Sequence, residues 1–263
     1  MSTNIVSMAD MVEISTNAKE LKGRLKTITY AMSEDKTKPV LCGINVRITN
    51  KEIILEATDG YRLAQTKLKF DFILNYDKEF NFQLTSEDVK KLYKFLPNRK
   101  TEKINLSIDY IHDKLYVYTS TDRLDLKIFM GEFLQLEKLL FTKDINHCIS
   151  LNDSIRSILD VLKSDKTKIV SKNKLIELTI KGDNLNISYI TKDFGKVSHD
   201  FNINNLNNTD FTIGFNVYYF IDLLGVIKDK SHELAFQDRQ LNGVQANTSS
   251  DVHLLLPIKT INI

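Results

Sequence analysis

The chain repeats itself: features of its first half recur, in the same order, about 130 residues later. That duplication limits the fold to one α+β unit made twice. In the first half Leu21, Leu25, Ile28 and Met32 recur at helical spacing, and Ser15, Thr16 or Asn17 can cap the start. In the second half Ile155, Ile158, Leu159 and Leu162 do the same after Asn152 or Asp153. Each half is read as beginning with that helix. Strands follow over residues 42–48 and 53–57, with a turn at Asn50-Lys51, and over 175–180 and 185–189, with a turn at Gly182-Asp183-Asn184. Both pairs run into an Asp-containing break, Thr58-Asp59-Gly60 or Thr191-Lys192-Asp193, before a third strand. A second helix is expected in each half. Val89, Leu92, Tyr93 and Leu96 form one stripe, stopped by Pro97. Tyr219, Phe220, Leu223, Leu224 and Ile227 form the other, after Asn216 as the cap. Further strands close the halves near residues 127–130 and 253–258. The expected domains are 1–140 and 141–263.

The 263 residues suffice for two separate cores, and an apolar share of 42% supports them. Only three prolines and nine glycines argue against a disordered or collagen-like chain. There is no run of 18 apolar residues, so no membrane-spanning helix is expected. The start of the chain lacks the basic region and apolar run of a signal peptide, which predicts a cytoplasmic protein. Cys42 and Cys148 lie far apart in no metal-ligand spacing and are expected to be reduced thiols.

Motifs for several chemistries are missing. There is no Gly-x-x-x-x-Gly-Lys-Ser/Thr loop and no Gly-x-Gly-x-x-Gly after a strand. His112, His147, His199, His232 and His253 are scattered, with no pair at i, i+4, so zinc is not expected. No nucleophile is accompanied by an obvious base or oxyanion loop. The expectation is a protein without enzymatic activity, metal or cofactor.

The formal charge is only +2, so the distribution of charge carries the argument about nucleic acid. Lys19, Lys22 and Lys26 lie opposite the first apolar stripe, with Arg24 near its edge. Lys90, Lys91 and Lys94 sit away from the second stripe. Arg156 and Lys163 mark the third helix and Lys228 the fourth. Two readings stay open. These are ordinary solvated faces, or they form a basic surface that tracks phosphates without reading sequence.

Four strings carry a family resemblance. Thr37-Lys38-Pro39-Val40-Leu41-Cys42-Gly43 leads into a strand followed by Ala57-Thr58-Asp59-Gly60-Tyr61-Arg62-Leu63-Ala64. Ile213-Gly214-Phe215-Asn216-Val217-Tyr218-Tyr219-Phe220-Ile221-Asp222-Leu223-Leu224 enters the last helix, and Leu254-Leu255-Leu256-Pro257-Ile258 lies near the end. Met130-Gly131-Glu132-Phe133 precedes the joint between the halves. In order and spacing these resemble the second and third domains of the bacterial DNA sliding clamp, the beta subunit of DNA polymerase III. The likeness runs from about Glu13 to the end of the chain.

The resemblance implies an α+β fold of two tandem DNA-clamp domains, each with two helices packed on antiparallel sheets, forming part of a ring. It implies a processivity factor that encircles duplex DNA without sequence preference and tethers DNA polymerase, clamp loader and other clamp-binding proteins. Carried over residue by residue, the family's partner-peptide pocket falls on Leu41, Thr58, Gly60, Tyr61, Arg62 and Leu63 in the first domain. Phe141 contributes from the linker, and in the second domain the pocket falls on Asn216, Tyr219, Leu241, Gly243, Leu254, Leu256, Pro257 and Ile258. An apolar cleft with a few polar groups suits a short peptide with aliphatic anchors. Phe141 departs from the family, standing where a linker proline is common. Two domains per chain reach a six-domain ring as a homotrimer, with an edge strand of one half pairing to the opposite half of the next chain. The competing reading is a clamp-like adaptor or decoy that binds replication factors without encircling DNA.

Overall fold

The computed structural model describes residues 11–71, 79–98, 102–141, 145–228, 233–237 and 243–258. The chain divides into two compact units, Met1–Gln135 and Leu136–Ile263, where the sequence reading put the division at 140/141.

The first unit runs β1 (Met11–Asn17), α1 (Ala18–Ile28), β2 (Gly43–Ile48), β3 (Glu52–Thr58), β4 (Arg62–Lys69), β5 (Phe80–Thr85), α2 (Ser86–Phe95), β6 (Lys103–Asp109), β7 (Lys114–Tyr118) and β8 (Arg123–Lys127). Its strands form two antiparallel sheets, ordered β1-β6-β7-β8 and β4-β3-β2-β5. The second unit runs β9 (Ile145–Ser150), α3 (Ser154–Asp165), β10 (Leu175–Lys181), β11 (Asn184–Thr191), β12 (Gly195–Asn202), β13 (Asn204–Asn205), β14 (Phe211–Asn216), α4 (Val217–Ile227), β15 (Glu233–Gln237), β16 (Val244–Asn247) and β17 (Asp251–Leu255). Within it the orders are β13-β9-β15-β16-β17 and β12-β11-β10-β14. Apart from the short β13, every element of one unit has a counterpart in the other, at the same place in the chain and in the sheet.

One expectation is overturned. Each half begins with a strand, not a helix. Along β1, Val12, Ile14 and Thr16 are buried while Glu13 is exposed, the two-residue alternation of a strand with one face on a core. Asn17 then ends β1 and starts α1, with its side chain accepting from the Glu20 N–H at 2.9 Å. Thr85 caps α2 through the Asp88 N–H, and Asn216 caps α4 through the N–H groups of Tyr218 and Tyr219. Asp153 stands at the start of α3 without a side-chain cap bond, and Asn152 takes a left-handed φ of 47°. Helix α1 stops at Ile28, so Met32 falls in the extended chain beyond a short 3-10 turn.

The helices face both sheets of their own unit. Leu21, Leu25 and Ile28 of α1 and Val89 and Leu92 of α2 join Ile44, Val46 and Phe82 from one sheet and Ile104, Leu106 and Leu115 from the other. A void of about 20 Å³ is all that opens between Leu21, Leu92, Leu55 and Leu106. In the second unit Ile155, Ile158, Leu159 and Leu162 meet Phe220, Leu223, Leu224 and Ile227, and the Phe215 and Phe220 rings stack 5.6 Å apart. Each such side chain contributes about 1.5–3 kcal/mol by leaving water. No helix among the described residues is long and apolar enough to cross a membrane.

A polar row crosses the other face of the β4-β3-β2-β5 sheet. Gln83, Asn45, Glu56 and Gln65 are register partners on successive strands. The Glu56 carboxylate is buried and accepts from Asn45 Nδ2 and Gln65 Nε2, each at 2.8 Å, with Arg47 3.6 Å away. Replacing Glu56 with Leu strands two buried amide donors, at about 1–3 kcal/mol each. Glu56→Leu is therefore expected to lose about 3 kcal/mol in urea denaturation. Glu56→Gln should lose less, because a neighbouring amide can turn over to match it.

In the second unit the Tyr189 hydroxyl donates to Asp165 Oδ2 at 2.6 Å, and Lys168 Nζ donates to Oδ1 at 2.7 Å. The Lys168 and Tyr189 bonds hold the Asp165 carboxyl below its ordinary pKa. A carboxyl depressed in the folded state stabilises above its unfolded pKa, about 3.9, and that contribution is lost as pH falls through the lower folded value. The thermal midpoint should thus fall on acidification below about pH 4. Asp165→Asn should flatten that part of the pH profile.

Candidate nucleic-acid and partner-peptide surfaces

The structure places the ten basic residues singled out from the sequence in different surroundings. Lys19 and Lys26 on α1, Lys90 and Lys94 on α2, and Arg156 and Lys163 on α3 are exposed. Their helices bury the opposite faces, so these cations stand on the solvent side by the geometry of the helix. Lys228 lies half-buried at the end of α4.

Lys22, Arg24 and Lys91 are held by identified partners within the protein. Lys22 Nζ donates to the Leu96 carbonyl at 2.7 Å and sits 5.0 Å over the Tyr93 ring. It ties α1 to the C-terminal end of α2, where a cation suits both the helix dipole and an orphan carbonyl. Periodicity placed Lys22 on the outer face, but a four-carbon stem carries its ammonium sideways to the neighbouring helix. Arg24 pairs with Glu20 at 3.3 Å. Lys91 is flanked by Asp88 at 3.0 Å and Glu87 at 3.3 Å. The Asp88 bond, with Glu87 behind it, raises the Lys91 pKa.

The first-unit members of the expected pocket other than Leu41 gather at the turn between β3 and β4. Gly60 takes φ +91°, which this turn requires and other residues rarely adopt. Thr58 donates through Oγ1 to the Arg62 carbonyl at 2.7 Å and accepts from the Gly60 N–H at 3.1 Å. Asp59 accepts from the N–H groups of Tyr61 and Arg62 through Oδ1, at 2.9 and 3.0 Å, and from Arg62 Nε through Oδ2 at 2.8 Å. The Arg62 guanidinium also lies 5.3 Å over the Tyr30 ring. It is half-buried and held from two sides, while Tyr61 is 59% exposed. Leu63 is buried and Leu41 half-buried.

The second-unit members come from separate segments of the chain. Asn216 caps α4 and also donates through Nδ2 to the Asn173 carbonyl at 2.8 Å, and Tyr219 follows one turn on, half-buried. Leu254 is buried at 4% and Leu256 is 38% exposed. Beyond them Pro257 leads to Ile258, whose N–H donates to the Gly214 carbonyl at 2.8 Å. At Gly243, φ +80°, a Cβ would meet the Leu255 carbonyl oxygen at 2.1 Å, so only glycine fits. Phe141 is 8% exposed. Leu241 lies outside the described residues. Sequence reasoning missed Asp59 and Tyr30 as the restraints on Arg62. Asp59 was visible only as a turn residue, and Tyr30 gives no local signal.

Neither reading of the charges requires a metal, and the described residues contain no cluster of three or more His, Cys, Asp or Glu able to hold one. Two copies of a unit with paired helices over two antiparallel sheets define a protein of the tandem clamp-domain class. Residues 15–134 match the family of the DNA polymerase III beta subunit central domain, and residues 143–258 match that of its C-terminal domain. The chain belongs to the DNA polymerase III beta subunit family. The beta sliding clamp of Staphylococcus epidermidis is 23% identical over 262 residues, which cover 97% of this chain and 66% of that one. That of Halalkalibacterium halodurans is 24% identical over 256 residues, covering 92% and 63%. The chain thus spans somewhat less than two thirds of these relatives. Among solved structures, the Bacillus subtilis DNA polymerase sliding clamp superposes with a TM-score of 0.82 at 20% identity, covering 99% of this chain and 67% of its own. The Pseudomonas aeruginosa clamp gives 0.82 at 17%, covering 95% and 66%. These likenesses carry the fold.

Lys22 and Lys90 should separate by experiment. Lys22→Met is expected to lower stability by about 1–2 kcal/mol, through the lost charged hydrogen bond. Lys90→Met should stay within about 0.5 kcal/mol. Equal melting shifts in the two variants would remove the structural role given to Lys22.

Proposed function

We propose that this chain acts as a DNA sliding clamp, a processivity factor that encircles duplex DNA and tethers DNA polymerase and other replication or repair proteins through a short-peptide pocket. The observation that carries the reading is that both units match consecutive domains of the family, in order and over nearly their whole lengths. The exposed cations of α1, α2 and α3 support a surface that meets phosphates without reading bases. A closed ring needs only weak contacts of this kind, because escape requires opening. Water-bridged lysines leave it free to move along the duplex.

Arg62, pinned by Asp59 and Tyr30, and the exposed Tyr61 in the first unit support contacts to a peptide with leucine anchors, as do Asn216, Tyr219 and the exposed Leu256 in the second. Docked proteins gain processivity from high effective concentration near DNA. The chain makes and breaks no bonds in this role and works in the cytoplasm. Partners include a clamp loader. Three chains supply six domains, and β8 and β12, each at the end of its sheet, are the strands that support a head-to-tail homotrimer.

Light scattering over a concentration series should give about three times the 30.3 kDa chain mass. The protein should remain on circular DNA and run off linear DNA. A monomer at every concentration, or equal loss from both DNAs, would overturn the ring. Arg62→Ala and Tyr219→Ala should weaken a fluorescein-labelled peptide with leucine anchors about tenfold each, leaving the oligomer intact. Unchanged peptide affinity in both would overturn the pocket. Reversal of Lys90 and Lys94 to Glu should shorten retention on circular DNA, and unchanged retention would return these lysines to plain solvation.

A further inference from the structure

We propose that Gln245 is the positioning residue of the peptide pocket: its side-chain amide holds the backbone of Phe141, so that peptide affinity depends on a residue the peptide does not contact. The proposal rests on the pocket reading above and adds a residue that reading does not contain.

The geometry is local to the second unit. Phe141 N–H donates to Gln245 Oε1 at 2.7 Å, and Gln245 Nε2 donates back to the Phe141 carbonyl at 3.4 Å. Nε2 also donates to Asn247 Oδ1 at 3.0 Å, which fixes which way the amide points. Phe141 belongs to no strand, and buried N–H and C=O groups must find partners. One planar amide offers a donor and an acceptor side by side and so stands in for the backbone of a neighbouring strand. Neither a carboxylate, which only accepts, nor an ammonium, which only donates, can do this.

The strand places this amide at the pocket. Along β16, Val244 and Ala246 are fully buried in the core, which turns Gln245 and Asn247 to the opposite face. Gln245 is itself only 3% exposed. Its register partner on β17 is Leu254, while Val244 pairs with the core residue Leu255. Leu254 and Phe141 are both pocket residues, and Gln245 lies beside one and bonds the other. Gly243 backs so closely onto Leu255 that the start of β16 has no room to shift. The strand is therefore a fixed base and the amide an arm that sets where Phe141 sits.

The test uses the full chain and the same fluorescein-labelled leucine-anchored peptide. Gln245→Met keeps the volume and removes both polar groups. It should weaken the peptide about tenfold and speed hydrogen exchange at the Phe141 amide. Combined with Phe141→Ala, it should add no further loss, because its effect passes through Phe141. If Gln245→Met does not fold, Gln245→Glu replaces it in the same cycle. Glu keeps the acceptor for the Phe141 N–H, so a smaller loss is expected. Wild-type affinity in a folded Gln245 variant, or losses that multiply in the double variant, would overturn the positioning role. Arg62→Ala separates the two ideas. If it and Tyr219→Ala both bind peptide like the wild type, the pocket reading itself falls. If it binds weakly while Gln245→Met binds normally, only the role of Gln245 falls.

Discussion

Everything in the fold hangs on three corners where a strand turns into a helix with no residue between them. At Asn17, Thr85 and Asn216 the chain is still extended, yet the side chain already accepts the N–H of a residue two or three places on. That bond fixes where the helix starts. Each residue of a helix is rotated about 100° from the last, so a start displaced by one position would swing the apolar stripe off the sheets. With the start fixed, Leu21, Leu25, Val89 and Leu92 land on residues of both sheets at once. The helices thereby join two small sheets, neither of which would bury enough by itself, into one core.

Much of this was legible. The four helical stripes, the capping residue Asn216 and the hairpins of β2-β3 and β10-β11 all follow from periods of 3.6 and 2 and from turn residues. What escaped is instructive. Ser15, Thr16 and Asn17 were weighed as competing caps, which hid that Ser15 and Thr16 belong to a strand with Val12 and Ile14. The pairing of β1 with β6 joins residues some 90 positions apart, and no local pattern reports it. Likewise the Asp-Gly-Tyr-Arg string drew attention to Arg62 through family resemblance. What holds Arg62 is Asp59, three places back in the chain, and Tyr30, which only the tertiary fold brings near. Gln245 carried no signal at all, since a glutamine in a strand reads as a solvent-facing residue.

The basic residues divide by reach more than by number. A lysine within a stem's length of an orphan carbonyl becomes a structural tie, as Lys22 does, and one beside two carboxylates is largely neutralised, as Lys91 is. Those with no such neighbour among the described residues, Lys19, Lys26, Lys90 and Lys94, keep their field for the solvent side. A count of positive residues on a helix therefore overstates the charge available to a polyanion.

The two terminal strands β8 and β12 are unlike one another in length and sequence. β8 shows Arg123, Asp125 and Lys127 and β12 shows Lys196 and Asp200, charges of both signs along exposed edges. Contact between unlike edges has no internal stop: each added copy presents the same edge that its predecessor offered. Whether such growth ends in a closed cycle or continues as a filament is decided by the rotation from one copy to the next. That makes a single angle, spread over the whole chain and encoded at no one residue, the quantity on which a finite assembly depends.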